Sequence, residues 1–280
     1  MSHKKYSVCV IGNSHVAALK QAWTNRAPAV SAGFSVTFFS AQNRLMTCLE
    51  RKGRALVPTD DELAQKLEFT SEGKRSIEVD DYDAFVFVGS GFCIDLQRFW
   101  TECGTTDGLR FGAVQNLVSR ACFEAVVEAV LTKSLLADLV TKISAITSVP
   151  VIVASAPFPS ERILDDEAFK DDARFRDPAF LAPLVACSTR AAERVAKRLN
   201  TEIIWQEEST IGLPGFTASA FGVNPVRFAM RGNLPPPVDR RHGNEDYGFL
   251  MLMAVLRRFD KLSGGRVLAD APAQSEASTA

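Results

Sequence analysis

Tyr6-Ser-Val-Cys-Val-Ile-Gly12-Asn13-Ser14-His15-Val16-Ala-Ala18-Leu19-Lys-Gln-Ala-Trp23 sets the fold class. Its first seven residues form an apolar, β-branched run that reads as a buried strand running into a turn at Gly12-Asn13-Ser14-His15. From His15 onward, Ala18, Leu19 and Trp23 recur at helical spacing. Strand, turn and helix in that order open an α/β fold, and the turn places Ser14 at the strand's carboxyl end.

Further along the chain, short β-rich runs recur at Phe34 to Phe39, Ala84 to Val88, Val149 to Ala154 and Glu202 to Trp205. Helical stretches lie between them at 114–147 and 181–199, and a last apolar helix spans Tyr247 to Phe259, with Asn244 as its N-cap and Glu245 and Asp246 in its first turn. Five strands joined by long crossovers predict a mainly parallel five-stranded sheet in a three-layer α/β/α arrangement. Ligands then belong at the carboxyl ends of the strands. Residues 1–263 read as a single domain and 264–280, rich in Ala and Ser, as a disordered tail. The stretches 41–81, 92–112 and 206–238 read as irregular, the latter two as candidate pocket walls or lids.

Composition narrows the function. Across 280 residues, 32 Lys and Arg balance 33 Asp and Glu for a formal charge of −1, which gives no electrostatic footprint for nucleic acid or an anionic membrane. A small-molecule or glycan ester partner fits better. The longest apolar run, Phe249 to Leu256, is too short to span a bilayer, and Gly12-Asn13-Ser14-His15 interrupts any signal-peptide core, so a cytoplasmic location is expected. Cys9, Cys48, Cys93, Cys103, Cys122 and Cys187 contain no CxxC pair and read as buried, reduced thiols.

Only three histidines are available, His3, His15 and His242, and His3 lies at the extreme terminus. His242 follows Asp239 by three residues in a turn-forming context, a spacing that can fold the carboxylate back onto the ring. An Asp on one ring nitrogen fixes the tautomer and leaves the other nitrogen to take a proton from a hydroxyl. Ser14 supplies such a hydroxyl, and its own N–H at a helix start can steady an oxyanion.

Gly12-Asn13-Ser14-His15 resembles the first block of the SGNH/GDSL hydrolases, usually Gly-Asp-Ser, and Asp239-x-x-His242 resembles their last. The resemblance spans residues 6–260. It implies a flavodoxin-like SGNH architecture, a Ser14 nucleophile, a His242 general base and acid, an Asp239 orienter and no cofactor, acting on ester or acyl groups, often carbohydrate-linked.

The middle blocks depart from the family pattern. Ser40-Ala41-Gln42-Asn43 lacks the glycine after the second strand, and Gly89-Ser90-Gly91 has Gly91 where the family has Asn. Losing one oxyanion donor costs about 3 kcal/mol of transition-state stabilisation. Gln42, Asn43 and Ser90, with backbone N–H groups of the Gly-rich turn, are the candidate substitutes.

Plainer readings stand beside these. Ser14 alone reads as a helix N-cap, His15 as a surface or capping residue rather than a second polar group at the site, and Gly89-Ser90-Gly91 as a tight strand exit. Phe216, Phe221 and Phe228 read as loop anchors rather than an acyl pocket, at least one of Arg240 and Arg241 as solvated, and Tyr247 as core. At the level of function, an esterase is favoured over an O-acyltransferase with the same triad and over a non-catalytic glycan- or acyl-binding protein. A nucleotide-binding turn is disfavoured because GxGxxG and GxxxxGK[ST] are both absent.

Overall fold

Alternate residues of β1 (Tyr6–Gly12) feed two separate cores, which is why the strand reads as an unbroken apolar run. In a computed structural model the described residues are 5–26, 33–89, 103–105, 116–167, 169–228, 239–265 and 267. After β1 come α1 (Val16–Asn25), β2 (Phe34–Ser40), α2 (Asn43–Met46), β3 (Leu49–Lys52), β4 (Ala55–Pro58), α3 (Asp61–Ser71), β5 (Ile77–Glu78) and β6 (Ala84–Val88). They are followed by β7 (Cys103–Thr105), β8 (Asn116–Val118), α4 (Arg120–Thr132), α5 (Leu135–Ser144), β9 (Val151–Ala154), α6 (Pro178–Arg198), β10 (Glu202–Ile204) and α7 (Glu245–Leu262).

The main sheet has five strands in the order β10-β9-β6-β1-β2, and every pairing in it is parallel. Counted within the sheet, this is the doubly wound 2-1-3-4-5 order, whose direction of travel reverses between β1 and β6. Cys9, Ile11, Phe85 and Phe87 face one core with residues of α3, α4, α5 and α6. Val8, Val10, Val86 and Val88 face the other with α1 and α7. Three layers result, as the strand and helix alternation predicts. Register aligns Gly12 with Ser40 on one side and Val88 on the other, so three strand ends share one edge.

Two expectations need correction. Residues 41–81 are structured: β3, β4 and β5 form a small antiparallel sheet with a two-residue turn at Gly53-Arg54. There, α3 is capped by Asp60, whose Oδ1 accepts the Leu63 N–H at 3.1 Å. The stretch 114–147 holds β8 and two helices, because Ser134 starts a new helix by accepting the Ala137 N–H at 3.2 Å. Of 206–238, residues 206–228 are held by short 3-10 turns and by buried Gln206, which accepts from Phe158 N at 2.8 Å and donates to Thr217 Oγ1 at 3.0 Å.

Phe216 is buried in one core, while Phe221 and Phe228 pack against the other, as anchors do. Residues 229–238, and 92–112 apart from β7, lie outside the described residues. Past the expected domain end, the Val267 N–H donates to Asp260 Oδ1 at 2.7 Å; Arg266 and the tail from 268 lie outside the described residues. Cys9 and Cys187 are buried, whereas Cys48 is half-buried and Cys122 exposed, contrary to the expectation of uniformly buried thiols. The side chains of Cys93 and Cys103 lie outside the described residues. Among the described residues, no helix is long and apolar enough to cross a membrane.

Candidate active site

The turn after β1 is pinned by Asn13. Its Oδ1 accepts the His15 N–H at 3.2 Å, and its carbonyl accepts Ser40 Oγ at 2.7 Å and the Val16 N–H at 3.0 Å. Helix α1 therefore starts with His15 in the cap position and no side-chain cap. The Ser14 hydroxyl, read in isolation as an N-cap, is engaged elsewhere: its Oγ lies 2.7 Å from His242 Nε2, across 228 positions of sequence.

His242 sits in the loop entering α7, a helix capped by Asn244, whose Oδ1 accepts the Tyr247 N–H at 3.1 Å. Asp239 folds back on this loop as the three-residue spacing predicts. Its Oδ1 accepts the N–H groups of Arg241 at 2.9 Å and His242 at 3.2 Å. The ring Nδ1 of His242 lies 3.1 Å from Oδ1 and 2.8 Å from Oδ2. The carboxylate thus assigns the ring proton to Nδ1, leaving the Nε2 lone pair to accept from Ser14.

Asp239 is almost fully enclosed, with a side-chain exposure of 1%. Burial opposes its ionisation, but hydrogen bonds from His242, the Arg241 N–H and Arg227 outweigh it and hold the carboxyl well below the usual carboxylate range. Arg227 Nε donates to Asp239 Oδ2 and lies 3.2 Å from His242 Nδ1. No sequence signal marks Arg227, which belongs to the loop expected to form a pocket wall or lid.

His15 takes the cap position of α1, as one of its readings has it, but without a side-chain cap bond and only half-exposed. Its ring stacks on His242 with centroids 4.7 Å apart and planes 24° from parallel. Its Nδ1 is buried with no hydrogen-bond partner among the described residues. Burial, reinforced by the neighbouring His242, pushes the His15 imidazole down from 6.5 to about 3. In a chain with three histidines, its adjacency to Ser14 was the signal available.

Gly89, at the end of β6, adopts φ +72° and lies so close to the turn that a Cβ there would meet Asn13 Oδ1 at 2.4 Å and His15 Cδ2 at 3.0 Å. Only glycine suits both the backbone angle and this approach. The N–H groups of Ser14 and Gly89 have no acceptor among the described residues. Gln42 caps α2 and Asn43 opens it; both are exposed at the same sheet edge, and neither is hydrogen bonded to Ser14. Ser90 and Gly91 lie outside the described residues.

The remaining candidates fall as their plainer readings have them. Arg240 Nη2 is 3.1 Å from Asp166 Oδ1, and Arg241 is exposed. Tyr247 is buried, its hydroxyl donating to the Ser155 carbonyl at 3.3 Å.

No family model matches the sequence, and no curated protein matches it. Among solved structures, the chain is similar to the periplasmic domain of a lipopolysaccharide acetyltransferase from Salmonella ser. Paratyphi A, at 8% identity and a TM-score of 0.38 over 92% of this chain and 85% of that one. It is also similar to a GDSL-like lipase from Bacteroides thetaiotaomicron VPI-5482, at 12% identity and a TM-score of 0.37 over 92% and 88%. A DUF4886 family protein from Bacteroides uniformis ATCC 8492 matches at 10% identity and a TM-score of 0.39 over 98% and 88%.

Proposed function

We propose that this protein is a serine hydrolase of the SGNH/GDSL type, acting on an ester or acyl group through Ser14, His242 and Asp239. The observation that carries the reading is the 2.7 Å contact between Ser14 Oγ and His242 Nε2, backed by Asp239 on Nδ1. A hydroxyl, an imidazole with the correct nitrogen free and a buried ionised carboxylate, in that order, make an activated nucleophile.

In this reading Ser14 Oγ attacks the acyl carbonyl carbon while its proton passes to His242 Nε2. Asp239 stabilises the imidazolium so formed. The carbonyl oxygen becomes an oxyanion, for which the N–H groups of Ser14 and Gly89 are two candidate backbone donors at this edge, with Gln42, Asn43, Ser90 and Gly91 the further candidates. As the tetrahedral intermediate collapses, the bond to the leaving alkoxide breaks and the alkoxide takes the proton from Nε2. A water, or a sugar hydroxyl in an acyl-transfer variant, then attacks the acyl-serine while its proton passes to His242 Nε2; as this second tetrahedral intermediate collapses, the acyl bond to Ser14 Oγ breaks and Oγ takes that proton back, restoring the resting triad. Resemblance to the SGNH/GDSL motifs makes carbohydrate-borne O-acyl groups the first substrate class to test.

The test is turnover of short-chain acyl esters and O-acetylated sugars by purified protein. Wild type is expected to release free acid, and Ser14→Ala to lose about 10³-fold or more of that rate while keeping its fold. Equal rates in the two proteins would sink the proposal, and ligand binding with no turnover in wild type would leave a binding protein in its place.

A further inference from the structure

The triad chemistry gives His15 no task, yet its ring has a neighbour at one face and another at its edge. One side lies against His242, with centroids 4.7 Å apart and planes 24° from parallel. Gly89 closes in at Cδ2, so tightly that any Cβ there would come within 3.0 Å of it. Asn13 Oδ1 fixes the residue's own N–H at 3.2 Å. Meanwhile Nδ1 is buried with no partner among the described residues, an arrangement that costs free energy and gives that nitrogen no bond to the triad. What the ring offers the site is its face.

We propose that His15 is a positioning residue for the same site: its ring stacks on His242 and fixes the plane in which Nε2 meets Ser14 Oγ. The inference rests on the triad reading. The uncharged state enforced by burial is consistent with this role, because a second cation would repel the imidazolium that forms on His242 during the reaction. An imidazole swinging about its own side-chain bonds would lose the Ser14 contact, and a flat neighbour at stacking distance resists that motion.

The experiment compares the rate at which a fluorophosphonate modifies Ser14 in wild type, His15→Phe, His15→Gln and His15→Leu. The Phe variant keeps a ring without the nitrogens; Gln keeps polarity without a ring; Leu keeps neither, and two ringless variants guard against one failing to fold. Expected is rescue by Phe to within about threefold of wild type, with Gln and Leu slowed about tenfold or more. Proton NMR supplies a readout that a merely structural role would not move: the His242 ring protons keep a stacking shift in wild type and Phe and lose it in Gln and Leu. Equal rates in all four proteins overturn the inference, as does a Phe variant as slow as Gln, which would transfer the role to the nitrogens. Absence of Ser14 modification in wild type overturns the triad reading itself and is seen before any variant is compared.

Discussion

Ser14 and His242 meet because the turn after β1 and the loop before α7 arrive at one sheet edge, and Asp239 reaches the ring from three residues away. The scarcity of histidine and the Asp239-x-x-His242 spacing made these three residues readable in the sequence. Arg227 and the stacking of His15 were not readable, since each depends on where a loop returns in space. The two depressed groups set an acid limit on stability. Unfolded, His15 takes up a proton near pH 6.5; folded, it does so only near 3. The unfolded chain therefore binds more protons between those values. The contribution is fully present above about pH 6.5 and is lost as the pH falls through about 3. Asp239, held below its ordinary 3.8, adds a loss of the same sign below that value. Denaturant unfolding at about pH 7 and pH 5 should show wild type losing more stability than His15→Phe; equal losses would contradict the burial of a neutral His15.

At the level of elements, the strands inside the sheet were legible because both of their faces are apolar: β6 falls at the expected Ala84–Val88, and β9 begins within two residues of expectation. The edge strand β10 ends within one residue of expectation on its β-branched pair Ile203 and Ile204. The small sheet was hidden because Leu49-Glu-Arg-Lys52 carries three charged residues and only one buried side, although Thr59-Asp60-Asp61-Glu62 was a readable helix start. The break at Ser134 was hidden because apolar periodicity resumes directly beyond it. Packing of α7 on α1 is what brings the His242 loop over the Ser14 turn. The two helices meet closely at Gly248, where a Cβ would come within 2.2 Å of the Ala18 carbonyl oxygen. Gly248→Ala should therefore cost about 1–3 kcal/mol in thermal or denaturant unfolding, despite alanine's better helix propensity. A stabilised variant would show that the two helices are not in this close contact.

For the molecule as a whole, the 2-1-3-4-5 strand order fixes the site, since the reversal between β1 and β6 opens the crevice at Gly12 to Ser14 and Gly89. Alternation of strands and helices predicted the layers, and the charge balance argued for a small-molecule partner. The oxyanion donors were the least legible part, and Ser90 and Gly91 fall outside the described residues. Backbone N–H groups, which any residue but proline supplies, leave no mark in a sequence. All of the proposed chemistry requires that the first β–α turn and the last loop form one nucleophilic site. Mass spectrometry of peptides after fluorophosphonate treatment reads that requirement without intermediate assumptions. A single adduct on Ser14 in wild type, lost in His242→Gln, is expected; an adduct on Ser14 that forms equally fast without the imidazole, or none on Ser14 at all, would refute the shared site.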